Sequence, residues 1–202
     1  MTEGYIKFQC NWEPKEILIP EELFLQLEKE RAKLYAFGLI GMYPGGIGFG
    51  NISVRLNGRA FIITGSATGQ FDTLDHSQYS LVTEYNFESN SILCKGLTKA
   101  SAESLTHAAV YEALPEVGAV VHVHCLELWE KLLNNYPTTS GEIQYGTPEM
   151  ALAVKSLAAE LRMNDEKVII MGGHLEGILG FGKNLEEATT KIIKIYNRYQ
   201  ND

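Results

Sequence analysis

No run of about 18 apolar residues occurs anywhere in the 202-residue chain, so a membrane-spanning helix is not expected. Positive charge is scarce too: 17 Lys and Arg stand against 25 Asp and Glu, a formal net charge of -8. Gripping a phosphate backbone needs a basic footprint, so nucleic acid is not an expected partner. Cysteine is limited to Cys10, Cys94 and Cys125, a scattered odd number that suits reduced thiols in the cytoplasm. The opening Met1-Thr-Glu-Gly4 has no basic segment followed by an apolar one, so no secretory signal is expected. Low-complexity tracts, internal repeats and linkers are missing as well. Residues 1–202 therefore read as a single domain, 45% hydrophobic and long enough for a full core.

Histidine numbers only five, yet three of them close apolar runs. Gly118-Ala-Val-Val-His122-Val-His124 reads as a buried strand ending in His-x-His. Side chains alternate between strand faces, so His122 and His124 project together while Val123 and Cys125 point the other way. Two imidazoles at one strand end can clasp a divalent metal, and a third His or a carboxylate would complete a site with an open position. His174 follows a second apolar run, Val168-Ile-Ile-Met171-Gly-Gly. Alternation makes Cys125 a small buried hydrophobe rather than a ligand.

Local signals outline the elements around these histidines. Pro20-Glu-Glu opens a helix carrying Leu23, Leu27, Leu34 and Phe37 that ends near Gly38. Residues 41–48 are too glycine-rich for regular structure and read as a loop. Strands are expected at 51–56 and 60–63, joined by an Asn57-Gly58 turn, with another around 79–82. Ser101 is placed to cap a helix bearing Leu105, Ala109 and Ala113 that stops before Pro115. Further helices are expected at 126–133 and 149–161, then strands at 168–171 and 177–181. Asn184 and Glu187 start a final helix with the stripe Ala188, Ile192, Ile195 and Tyr199. The pattern suggests an α/β three-layer sandwich: a mixed, largely antiparallel central sheet with helices on both faces.

Six motifs stand in one order: Gly50-Asn51-Ile-Ser-Val-Arg55; Thr64-Gly-Ser-Ala-Thr68-Gly69; Ser101-Ala-Glu103 with His107 and Tyr111; Pro115 through His122-Val-His124; Tyr145-Gly-Thr-Pro; and Gly177 through Asn184-Leu-Glu-Glu-Ala188. In that order and spacing they resemble the class II aldolase/adducin family. The resemblance covers the chain from Leu34 to Ala188. It implies a zinc site, open to other divalent metals, built from His122, His124 and a third group, with Glu103 on or near the metal. It implies a lyase, epimerase or dehydratase that acts on a small sugar phosphate or polyol acid through an enediolate. The metal would stabilise that oxygen and a carboxylate such as Glu103 would shuttle the proton. A non-catalytic, adducin-like oligomerisation module is the alternative.

The third ligand departs from the family pattern. Relatives carry His immediately before the glycine equivalent to Gly177, where this chain has Glu176, and His174 lies two residues earlier. On a regular strand both would share a face. His174 is favoured because three imidazoles leave Glu103 free for proton transfer, with Glu176 orienting a His or replacing His174 as ligand. For the anionic end of the substrate, the resemblance implies Gly50, Asn51, Thr68, Gly69 and Ser101. The family's second Ser is Ala102 here, and Lys99 is the nearby residue able to supply positive charge. Tyr136 and Tyr145 are candidate proton donors, although Tyr145 is expected to pack beside the Gly-Thr-Pro turn. The resemblance also implies a homotetramer with each site at a subunit interface. Trp129, Tyr136 and the loop around Thr138 are the segments expected to reach an adjacent protomer.

Overall fold

The computed structural model describes residues 9–161 and 167–200. The chain start read above for a leader lies outside the described residues. Among the described residues the main strands are β1 (Gln9–Pro14), β4 (Asn51–Arg55), β5 (Phe61–Thr64), β6 (Tyr79–Asn86), β7 (Ser91–Gly96), β8 (Ala119–His124), β9 (Val168–Ile170) and β10 (Gly177–Gly182). These eight form one sheet in the order β1-β7-β6-β5-β4-β8-β10-β9. Only the β1–β7 pair is parallel; the other six ladders are antiparallel. A short β2 (Gly41–Met42) pairs with β3 (Gly48–Phe49) in a separate two-stranded hairpin.

Among the described residues five α-helices cover the two faces: α1 (Glu21–Ala36), α2 (Ser104–Ala113), α3 (Leu126–Leu132), α4 (Pro148–Glu160) and α5 (Leu185–Gln200). Alternation along the strands divides the core in two. Phe61, Ile63, Val120, Leu179 and Phe181 pack with Ala109 and Val110 of α2 and Val154 of α4. Ile52, Ile62, Val121, Val123 and Ile178 pack with Leu27 and Leu34 of α1, Leu128 of α3 and Ile192 of α5. The architecture is the expected three-layer α/β sandwich with a mixed, largely antiparallel sheet.

Several local expectations are corrected. Residues 41–48 include the β2–β3 hairpin, because Tyr43 N–H donates to Ile47 O at 2.9 Å and closes a turn the glycines permit. The sheet gains β1 and β7, two strands not expected above although both alternate in burial along their length. Helix α2 starts at Ser104 rather than directly after Ser101. Ser101 Oγ instead accepts the Glu103 N–H at 3.3 Å, while its carbonyl accepts the Ser104 N–H at 3.1 Å. The start of α5 is capped as read: Asn184 Oδ1 accepts the Glu187 N–H and Glu187 Oε2 accepts the Lys183 N–H, both at 2.9 Å.

Candidate active site

Strand β8 delivers two imidazoles to one place. Val121 and Val123 enter the apolar layer against α1 and α5, and Cys125 packs with them. His122 and His124 therefore project to the opposite face, their ring centroids 4.8 Å apart. Strand β10 pairs antiparallel with β8, setting Gly177 opposite His124. The turn leading into β10 then brings His174 to ring distances of 5.0 Å from His122 and 4.8 Å from His124. Residues 172–176 form a turn, not a regular strand, so His174 and Glu176 do not share a face. His174 joins the two imidazoles. Glu176, held at φ 69, directs its carboxylate to Tyr43.

One nitrogen from each of His122, His124 and His174 lies within 4.8 Å of the others. Two tetrahedral ligands each ~2.1 Å from zinc lie ~3.4 Å apart, so binding asks the most widely spaced pair to close by up to ~1.4 Å. The donor set fits a divalent cation. His122 Nε2 is buried with no hydrogen-bond partner. Burial, then repulsion from the neighbouring histidines, holds His122 and His124 well below the usual imidazole range, so both present neutral lone pairs.

The acidic residue arrives from the other side. Glu103 immediately precedes α2, buried, with Oε1 3.7 Å from His174 Nδ1. Its Oε2 accepts the Thr106 hydroxyl at 2.7 Å. That bond and the Ser101 turn hold the carboxylate at the cluster's edge.

Above the cluster opens a cavity of about 360 Å³. Gly50, Asn51, Thr68, Gly69, Ser101 and Glu103 all line it with the three histidines. Gly69 is required by close approach, since a Cβ there would lie 2.1 Å from Gly41 O. Gly50 has φ +75, a left-handed conformation favouring glycine. Ala67 holds φ 61 in the same wall, strain of about 1–3 kcal/mol that turns this segment toward the cavity. Lys99 is not among the lining residues; its ammonium sits 5.4 Å from the Trp12 ring centroid, outside the cavity.

The aromatic candidates divide. Tyr145 lines the cavity and stacks on His174 at 4.4 Å and 21°, rather than merely packing beside its own turn. Tyr136 and Trp129 pack against the chain's own apolar layer, and Trp129 Nε1 donates to Met171 O at 3.0 Å. Thr138 Oγ1 donates to Tyr136 O at 2.6 Å, and its backbone bridges to Ile170. All three side chains are half-buried within the protomer. Sequence reasoning missed Tyr43 and Phe49, whose segment offered no periodicity, and Arg31, whose spacing from Leu27 and Leu34 sets a charge on the apolar face of α1.

Comparison with known proteins gives the family and the fold. The profile described as Class II Aldolase and Adducin N-terminal domain matches residues 45–200. The chain belongs to the class II aldolase and adducin family. Methylthioribulose-1-phosphate dehydratase of Leptospira borgpetersenii is 35% identical over 112 residues, 51% of this chain and 43% of that protein. The match thus spans less than half the length of that curated relative. Among solved structures, L-fuculose-1-phosphate aldolase from Thermus thermophilus superposes with a TM-score of 0.64 at 24% identity, covering 90% of this chain and 92% of that one. A sugar-phosphate aldolase from Thermotoga maritima gives 0.63 at 19% identity, covering 89% and 92%. Both share the fold. No helix among the described residues is long and apolar enough to cross a membrane.

Proposed function

We propose that this protein is a metal-dependent lyase of the class II aldolase type, acting on a small sugar phosphate or polyol acid through an enediolate form of the substrate. The observation that carries the reading is the buried three-imidazole cluster with Glu103 beside it at the floor of a substrate-sized cavity. His122, His124 and His174 would hold the metal, with zinc the expected ion. A divalent cation there supplies Lewis acidity toward a substrate carbonyl.

Glu103 takes and returns the proton through its carboxylate, since it borders the cluster and is held by Thr106 and the Ser101 turn. Gly50, Asn51, Thr68, Gly69 and Ser101 bind the substrate's anionic end through backbone N–H and polar side-chain groups. Lys99 is dropped from that set, because its ammonium lies over Trp12 outside the lining. Tyr145, which stacks on His174 and lines the cavity, is our candidate proton donor.

Dehydration is the second reading, favoured by the identity to a methylthioribulose-1-phosphate dehydratase. Metal analysis of protein purified without chelator tests the shared premise. About one equivalent of divalent metal per chain is expected; less than about a tenth, unresponsive to added zinc, overturns both readings. Screening sugar phosphates then separates them, since release of a carbonyl fragment marks cleavage and loss of water marks dehydration.

A further inference from the structure

We propose that Tyr43 and Glu176 form a positioning relay, which fixes the His124 ring so that its Nε2 lone pair faces His122 and His174. The proposal rests on the metal-site reading above. Tyr43 comes from the turn of the β2–β3 hairpin and reaches His124 from outside the sheet. Its hydroxyl donates to Glu176 Oε2 at 2.6 Å, and its oxygen lies 2.8 Å from His124 Nδ1. A phenol has one proton. With that proton given to the carboxylate, the phenol oxygen accepts from His124, which requires the proton on Nδ1 and leaves Nε2 bare. The opposite arrangement, Tyr43 donating to His124, would set a phenol lone pair 2.6 Å from a carboxylate oxygen. Hydrogen bonding therefore selects one tautomer, the one whose lone pair is on the cluster side.

Three further observations support a built relay. Glu176 keeps φ 69, a left-handed conformation costly for a residue with a Cβ, and this aims its side chain away from His174. Its backbone is anchored, because Glu176 O accepts the Cys125 N–H at 3.2 Å directly beyond His124. Phe49 stacks on His124 at 5.6 Å and 25° and packs on Tyr43 at 4.5 Å, restricting rotation of both rings. His122 has a separate arrangement: its Nδ1 faces the Asn51 amide at 3.3 Å. The two strand histidines are thus oriented by different partners, one on β4 and one on the hairpin.

The test compares the wild-type chain with Tyr43→Phe and Glu176→Gln by zinc titration against a competing chelator. The imidazole nitrogens are read in parallel by nitrogen-15 NMR on the metal-free proteins. In the wild type, His124 is expected as a single Nδ1–H tautomer. Tyr43→Phe is expected to mix the tautomers and raise the zinc Kd by roughly 10–100-fold. Glu176→Gln still accepts from Tyr43 without the charge, so a smaller loss is expected, while thermal melting of the metal-free chains controls for folding. An Nε2–H tautomer in the wild type, or a folded Tyr43→Phe variant with its zinc Kd within about twofold of wild type, overturns the relay. A wild type that binds no zinc overturns the metal-site reading instead, and the tautomer then decides the relay by itself.

Discussion

Arg31 and Thr68 are joined through the core: the buried guanidinium of Arg31 on α1 donates to Thr68 O at 3.1 Å. The same group donates to Phe71 O at 2.5 Å and Asp72 O at 3.0 Å. One side chain on the α1 side of the sheet thus clamps three carbonyls of the segment whose Thr68-Gly69 turn lines the cavity. Burial lowers the affinity of Arg31 for its proton, offset in part by Glu28 nearby, and the three carbonyls repay the desolvation. Arg31→Met leaves those acceptors unsatisfied. A loss of about 2–4 kcal/mol in urea unfolding is expected, with a larger rise in KM than fall in kcat. Stability within about 0.5 kcal/mol of wild type refutes the clamp.

The third metal position is tested by a pair of substitutions. His174→Ala is expected to abolish binding of an equivalent of zinc, as are His122→Ala and His124→Ala. Glu176→Ala is expected to retain the equivalent at saturating zinc. Zinc stoichiometry by mass spectrometry decides it, and the reverse pattern assigns the ligand to Glu176.

Glu103→Gln preserves shape and removes the proton acceptor. Metal content is expected to stay at the wild-type level while kcat falls by roughly a hundredfold or more. Near-normal turnover on an identified substrate rules out the proton-transfer role.

Acid should weaken the metal-free chain through its buried histidines. His107 is fully enclosed, and burial pushes it down to about 3, against an ordinary value of 6.5. The unfolded chain therefore binds a proton here that the folded chain refuses between those values. Its contribution to stability is complete above pH 6.5 and is lost as pH falls toward 3, by about 1.4 kcal/mol per pH unit. His122 and His124 act in the same direction. His107→Gln should reduce the slope of unfolding free energy against pH by about that one-proton amount. An unchanged slope between pH 4 and 6 counts against a neutral His107 (~1.4 kcal/mol per unit is readily measured).

Assembly is expected to follow the family. Trp129 and Tyr136 pack half-buried against the protomer's own core, while the cavity holds Tyr145 and the hairpin residues but no lysine or arginine among its lining residues. A homotetramer is expected, with a neighbouring copy completing the rim. Light scattering should return about four times the 22.5 kDa chain mass. A monomer with metal bound and full activity contradicts this expectation.

Period-two alternation by itself placed His122 and His124 on one face and Cys125 on the other, because a strand's side-chain direction depends on its own backbone. A proline and a cap likewise located the starts of α1 and α5 to within a residue or two. Asn51 across from His122 and His174 beside both strand imidazoles depended on strand registers between segments far apart in the chain. No local pattern encodes those registers; they emerge from packing two apolar layers against one twisted sheet. The same holds for Lys99, near Ser101 in sequence yet outside the cavity, and for Tyr43, in a glycine-rich stretch without period yet 2.8 Å from His124. The tertiary structure decided the third histidine and its supports, because long-range pairing turns neighbours in space into neighbours in chemistry.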